Sequence, residues 1–289
     1  ACPHRAPAPP PGGVARARKG APKSRPPPLR TPHLDLYAEQ YGSGANMVAM
    51  CPHTRYWQTK LAQVVREIRD QTGADGVYID QVAREVAAPC WDPTHSHPAG
   101  GGDHWVTGYR SLLERVRQAV GPQAAMLTEG NAEPFLDTFN VFLMLARIDG
   151  LVGAPPTLAP VFPAVYGGYY LPAGELFFTS DLTEDPDIFA GKLGTQFVLG
   201  YQMGWFSLGG RDNQRPPMAL YSALGAPEHA PERAYLRRLS QAKGACTDWL
   251  VLGRMMRPVR FTGTAGEEVY PPVASAAWRS DATDSLLLI

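Results

Sequence analysis

Apolar side chains recur at Trp57, Leu61, Val64, Val65 and Ile68, the stripe of a helix with one buried face. Gly73 follows and suits the left-handed turn that ends a helix. The stripe returns at Trp105, Tyr109, Leu112, Leu113, Val116 and Val120, and Gly121-Pro122 stops it. A short β-rich run lies between these helices, Gly76–Asp80 (GVYID), and another follows the second, Ala124–Glu129 (AAMLTE). Asn46–Met50, Val141–Leu145, Val161–Tyr166 and Trp205–Leu208 read as further strands, and Glu133–Asp137 as a helical turn or two. Ile188–Tyr201 and Glu232–Leu252 read as helices. Strand and helix alternate, which predicts a parallel sheet with crossover helices. After Leu252 helices cease. Met255–Phe261, Val273–Trp278 and Ser285–Ile289 form short strands separated by Gly, Pro and Asp, the start of a small antiparallel β domain.

Residues 46–208 supply six predicted strands, and a (β/α)8 barrel needs eight. An open doubly wound sheet is the alternative, but it would carry a Gly-rich phosphate turn after an early strand. None follows GVYID. The predicted fold is therefore an α/β TIM barrel over residues 45–252, incomplete on its N-terminal side, with the β domain over 253–289. The chain begins with Ala and ends inside a strand-like run, so it reads as a piece of a longer protein.

Charge divides the chain. Lys+Arg and Asp+Glu both number 27 in 289 residues, and a balanced total carries no nucleic-acid signature. Seven of the basic residues and no acid fall in residues 1–33, leaving 20 basic against 27 acidic in the rest. That first segment is Pro-rich and poor in bulky apolar residues, so residues 1–44 are expected to be a disordered, solvated leader. No apolar stretch of secretory-signal length follows its charges. The longest apolar runs fall far short of the ~18 residues of a membrane span. Four cysteines without close pairing make neither a disulfide scaffold nor a zinc ribbon.

Two strands end in a carboxylate. In Gly76-Val-Tyr-Ile-Asp80, alternation puts Tyr78 and Asp80 on one face and Val77 and Ile79 on the other. In Met126-Leu-Thr-Glu129, Leu127 and Glu129 share a face. Barrel enzymes build their sites at such C-terminal strand ends. Two carboxylates on neighbouring strands suit the cleavage of a glycosidic bond, one as nucleophile or base and the other as acid. Capping of a following helix is the competing role for either alone.

Between them runs a long Pro/Gly loop, Pro89 to His104, and loops of that length are usually functional. His95, His97 and His104, with Asp92, Cys90 or Asp103, are candidate zinc ligands for a metal-dependent hydrolase. The preferred expectation is hydrogen bonding to sugar hydroxyls, with Trp91 and Trp105 as stacking faces and no metal or other cofactor. A non-catalytic carbohydrate-binding protein is the remaining alternative. Cys51 and Cys90 are a possible close pair. Glu133, Tyr166 and Trp205 are weaker candidates for the substrate pocket.

Four blocks carry a resemblance: Met50-Cys-Pro-His-Thr54 with Trp57, Asp75-Gly-Val-Tyr-Ile-Asp-Gln81, Cys90 with His95, His97, Gly100–Gly102 and Trp105, and Thr128-Glu-Gly-Asn-Ala-Glu133. Over roughly residues 46–210 the chain resembles a TIM-barrel domain-of-unknown-function family grouped with retaining glycoside hydrolases of the α-amylase and α-galactosidase kind. The resemblance implies that Asp80 ends the fourth barrel strand as nucleophile and Glu129 the fifth as acid/base. The α-galactosidase-like arrangement takes its acid from the sixth strand instead. A carbohydrate substrate is implied, with no nucleic acid or membrane partner.

Overall fold

The computed structural model of the chain describes residues 27–40, 44–144, 160–174, 177, 179–204, 220–257, 261–262, 268–269 and 275–289. Ala38–Gln40 (β1) and Asn46–Val48 (β2) pair as an antiparallel hairpin, with Ala38 opposite Val48. Arg55–Thr72 (α1) ends where Gly73, at φ 68°, returns its N–H to the Arg69 carbonyl. Gly76–Ile79 (β3), Ala125–Glu129 (β4), Val141–Leu143 (β5) and Leu171–Ala173 (β6) form one sheet in that order, each pair parallel. Parallel neighbours need a crossover. His104–Val120 (α2) supplies the one between β3 and β4. The wholly buried Leu112, Leu113 and Val116 of α2 enter the same core as Val77, Ile79 and Met126 from the sheet.

The packed chain starts earlier than the composition suggests. Leu29 is completely buried with Cys51, Ala88, Cys90 and Trp105 in a small separate core. Its N–H donates to the Ala49 carbonyl (2.8 Å), and the Cys51 N–H donates to Pro27 O (3.2 Å). Residues 27–40 thus run beside the segment leading to Cys51, where a disordered leader to residue 44 was expected. Polar and proline-rich neighbours conceal this anchor, Leu29, which Tyr37 supports from the same segment.

Two strand expectations differ from the structure. Asn46–Met50 does not join the parallel sheet, because its strand is spent on the hairpin with β1. Val161–Tyr166 is a short helix (α3). A brief apolar run carries no decisive period, and Pro163 lies early enough in the helix to be tolerated. Phe162 there packs on Tyr170 and Phe142, with ring centroids at 5.0 and 6.0 Å. The strand that follows β5 is Leu171–Ala173, which Pro172 disguises, since proline is unusual inside a sheet. A parallel bridge from Ala173 to Gln202 continues the strand order. Trp205–Leu208 lies outside the described residues. Among the described residues the parallel sheet has four strands and is not a closed barrel.

Thr179–Thr183 (α4), Pro186–Val198 (α5), Leu220–Gly225 (α6), Ala230–Ala245 (α7) and Thr247–Leu250 (α8) follow. The single helix expected over 232–252 is broken at Cys246, between α7 and α8. Arg254–Met255 (β7), Ala277–Ser280 (β10) and Ser285–Leu288 (β11) form an antiparallel sheet in the order β11-β10-β7, and Phe261–Thr262 (β8) pairs with Glu268–Val269 (β9). The antiparallel C-terminal pattern agrees with the sequence, but the sheet does not stand apart. Met255, Ala276 and Trp278 are buried in the same cluster as Val198, Leu199 and Leu250. No helix among the described residues is long and apolar enough to cross a membrane.

Candidate functional site

The pairing of β3 with β4 decides which side chains meet. Gly76 lies opposite Ala125 and Ile79 opposite Thr128. Continued by one residue, the register sets Asp80, just past the end of β3, beside Glu129, the last residue of β4. Val77 and Ile79 are buried and Tyr78 is exposed. On β4, Met126 and Thr128 are buried while Leu127 and Glu129 are partly open. The alternation predicted from sequence is the one observed, and the carboxylates project from the less buried face.

Tyr78 donates its hydroxyl hydrogen to Asp80 Oδ1 at 2.9 Å. Burial raises the Tyr78 hydroxyl well above the ordinary phenol range, and the Asp80 and Glu129 charges add to that. Burial also raises the Glu129 carboxyl above its usual range. The charge of Asp80 and a hydrogen bond between the two carboxyl groups push in the same direction, and Arg84 opposes them. Arg84 Nε stands 3.4 Å from Glu129 Oε1. A carboxyl with a raised pKa beside a second carboxylate is the arrangement by which one acid keeps a proton to give away.

Each carboxylate is followed by a left-handed residue. Gly130 has φ 70° and Gln81 φ 64°. At Gly130 a Cβ would lie 2.7 Å from that of Arg84, so only glycine lets the two loops approach this closely. Gln81 has no such licence, and non-glycine residues in this conformation concentrate at functional sites. Its carbonyl accepts from the N–H groups of Arg84 and Glu85, closing the turn that brings Arg84 back to Glu129. Arg84 was not singled out from sequence. It sits four residues after Asp80 without a motif, and only the turn at Gln81 makes it a partner.

The His loop gathers on itself. Cys90 Sγ lies 3.3 Å from His95 Nδ1, and Cys51 Sγ lies 3.3 Å from His97 Nε2. The four donor atoms all fall within 4.8 Å of one another. The metal-ligand set expected from sequence was different. His104 stands behind the cluster, stacked on His97 at 4.5 Å with its Nδ1 3.2 Å from the Gly101 carbonyl, and Asp92 lies on the far side of His95, at 3.7 Å from Nε2. Cys51, noted in the sequence only as a possible neighbour of Cys90, takes the fourth place. Burial pushes its thiol up to about 12, and burial lowers the pKa of both His95 and His104.

The remaining candidates separate. Trp105 is 8% exposed and packs edge-on to Tyr109 at 5.0 Å, so the stacking face expected for it is turned inward. His104 is 3% exposed. Trp91 is 37% exposed and lies across Gly100, where a Cβ would fall 2.4 Å from its ring. Glu133 and Tyr166 come together: a hydrogen bond to Glu133 is the main reason the Tyr166 hydroxyl is raised. Trp205 lies outside the described residues. A cavity of about 670 Å³ lined by Arg233, Arg237, Lys243 and Gln202 involves neither carboxylate.

Relatives and solved structures bear on this arrangement. The chain is 33% identical over 271 residues to a Monosiga brevicollis protein named "Putative glycoside hydrolase 22789", with 88% of this chain and 23% of the relative covered. It is 27% identical over 261 residues to a "Putative glycoside hydrolase" of Bacteroides thetaiotaomicron, covering 88% of this chain and 36% of that one. The chain thus spans about a quarter to a third of the length of these relatives. The GalNAc complex of the α-N-acetylgalactosaminidase NagBb from Bifidobacterium bifidum superposes with a TM-score of 0.51 at 11% identity, covering 94% of this chain and 40% of that one. The complex of the same enzyme with Gal-NHAc-DNJ gives 0.52 at 12% identity, over 95% and 40%. At such identity the likeness is one of fold. The model of the family described as "Domain of unknown function (DUF6259)" matches residues 22–178, more than half of the chain, and the chain belongs to that family.

Proposed function

We propose that the chain is the core of a glycoside hydrolase-like enzyme that cleaves O-glycosidic bonds with Asp80 as nucleophile and Glu129 as general acid/base, on a TIM-barrel fold of which β3 to β6 form part. The observation that carries this is the β3–β4 register, which sets two carboxyls side by side at the strand ends with the Glu129 pKa raised by burial and by Asp80. The names of the relatives and the fold likeness to a glycosidase support the substrate class.

In a retaining mechanism Asp80 attacks the anomeric carbon while Glu129 protonates the leaving oxygen; Glu129 then takes a proton from water as it displaces Asp80. Tyr78, hydrogen bonded to Asp80, would orient the nucleophile. Retaining pairs stand about 5–5.5 Å apart with a sugar between them. Here the register sets the two strand ends side by side, and burial, together with the Asp80 charge, favours the protonated, acid form of Glu129 before a sugar enters. Trp91, with an exposed ring, and the Glu133–Tyr166 pair are the described candidates for sugar contacts, together with Trp205.

The two carboxylates should fail differently in the full-length protein. Asp80→Asn should abolish turnover for every leaving group. Glu129→Gln should spare the first step for nitrophenyl glycosides, slow the second, and yield a glycosyl azide when azide is added. Near wild-type activity in Asp80→Asn would remove the assignment. Equal losses in both variants with no azide product would keep a site but overturn the roles. The metal-dependent alternative draws less support, because the Cys/His cluster supplies four protein donors and leaves no open position for a reacting water.

A further inference from the structure

We propose that Cys51, Cys90, His95 and His97 form a structural zinc site that clips the N-terminal hairpin segment to the loop following Asp80. The inference is independent of the glycosidase reading, since the cluster holds neither Asp80 nor Glu129.

Geometry comes first. With Zn–S near 2.3 Å and Zn–N near 2.0–2.1 Å, the donors of a tetrahedral site lie about 3.3–3.8 Å apart. The two sulfur–nitrogen contacts here are both 3.3 Å, and every other donor pair is within 4.8 Å. A set of two sulfurs and two imidazoles selects zinc over hard cations. Four protein donors with both cysteines fully buried make the closed kind of site, which holds structure rather than activating water.

The outward-facing nitrogens make the stronger argument. A ligating histidine almost always donates its other N–H to a carboxylate or a backbone carbonyl, which fixes the tautomer. His97 turns Nε2 to Cys51 and its Nδ1 lies 2.9 Å from the Pro98 carbonyl. His95 turns Nδ1 to Cys90 and its Nε2 faces the Asp92 carboxylate at 3.7 Å. The Pro98 carbonyl thus sets His97 with a lone pair toward the Cys51 sulfur, and the Asp92 carboxylate lies on the outward side of His95, where it would attract the Nε2 proton. Asp92 is itself held, by the Thr94 N–H and hydroxyl at 2.9 and 2.6 Å and by Arg30 at 3.7 Å.

The location gives the metal a purpose. Among the described residues, the core that joins the hairpin segment and the 88–104 loop holds Leu29, Cys51, Ala88 and Cys90, with Trp105 from α2, too few to order the two segments alone. The backbone already joins them through Trp91 N–H to Arg30 O (2.9 Å), and within the loop Gly100 N–H donates to Cys90 O (2.7 Å). On zinc binding each thiol gives its proton to solvent and the two thiolates and two neutral imidazoles close the tetrahedron. The clipped loop is the one that starts at Asp80 and carries Arg84.

Elemental analysis of the reduced 289-residue chain should find one zinc per chain. Cys51→Ser, Cys90→Ser and His97→Ala should each lose it, and Cys246→Ser should keep it. The stripped chain titrated with cobalt(II) should develop the visible bands of tetrahedral cobalt and a thiolate charge-transfer band. If the cysteine variants fail to fold, Asp92→Asn keeps all four donors and should hold zinc about 10–100-fold more weakly in chelator competition. Failure of the reduced wild-type chain to take up either metal would overturn the proposal. So would a Cys51–Cys90 disulfide in the protein as isolated, or zinc retained at full stoichiometry by both cysteine variants.

Discussion

Glu129 holds a conflict between stability and chemistry. Its carboxyl is driven up by burial and by Asp80, so in the folded chain it binds a proton more tightly than when unfolded. Stability from that proton is fully present at pH below the unfolded carboxylate value, 4.5, and is lost as pH rises through the folded value. At neutral pH the residue therefore weakens the fold, a cost that the proposed acid/base role would explain. Glu129→Gln should melt higher than the parent at pH 7, with the gain vanishing below pH ~4, where both side chains are neutral. A gain that persists unchanged in acid would point to packing instead. Carbon-13 titration of the Glu129 carboxyl should show its midpoint falling in Asp80→Asn and rising in Arg84→Gln, because the first removes a neighbouring anion and the second a cation. The carboxylates were legible in the sequence because strand alternation is a local rule. Arg84 was not, since its approach to Glu129 depends on the left-handed backbone at Gln81. Gln81 already bears the left-handed cost of about 1–2 kcal/mol, and a β-branched side chain crowds that backbone further, so Gln81→Val should lower stability and loosen the Arg84–Glu129 contact.

Two long helices, α1 and α2, were read from period alone, while the one expected over 232–252 ran past the break at Cys246. Short elements without alternation or a turn signal were harder, because three to six residues hold too little pattern to separate strand from helix: Val161–Tyr166 became α3 and Leu171–Ala173 became a strand in spite of Pro172. The His loop is the intermediate case. Its ligand-type residues were visible, but their grouping was not, since Cys51 comes from a different segment of the chain. What brings that segment in is the face of α2 at Gly108. A Cβ there would stand 2.7 Å from the His53 nitrogen and 2.9 Å from the Pro52 carbonyl carbon, both backbone atoms. Gly108→Ala must therefore push α2 away from residues 52–53. The cost should be about 1–3 kcal/mol by overpacking, read as a lower melting temperature, and the same shift should displace Cys51 and increase the reactivity of its thiol toward maleimides. An unchanged melting temperature with an inert Cys51 would show that the helix does not set the position of this segment.

At the scale of the whole molecule, the issue is whether the C-terminal β segment folds as a separate unit. The abrupt loss of helical pattern after Leu252 suggested that it does. The packing joins it to the rest. Trp278, 3% exposed, donates its indole N–H to the Val198 carbonyl at 3.0 Å and is buried with Leu199 and Leu250. Gly200, at φ 73°, runs so close that a Cβ would sit 2.9 Å from the indole ring. The element change in the sequence therefore marks a change of secondary structure, with no break in the core. Trp278→Ala should cost about 3–5 kcal/mol, the range for emptying a buried aromatic site, with some addition for the Val198 carbonyl left unpaired. Because the core is shared, that loss should fall on the whole chain. Calorimetry should show one transition moved down in temperature, and hydrogen exchange should accelerate in α2 as well as in β10. Two separated transitions, with α2 protected as before, would mean that the β segment unfolds by itself and that the shared cluster contributes little to cooperativity.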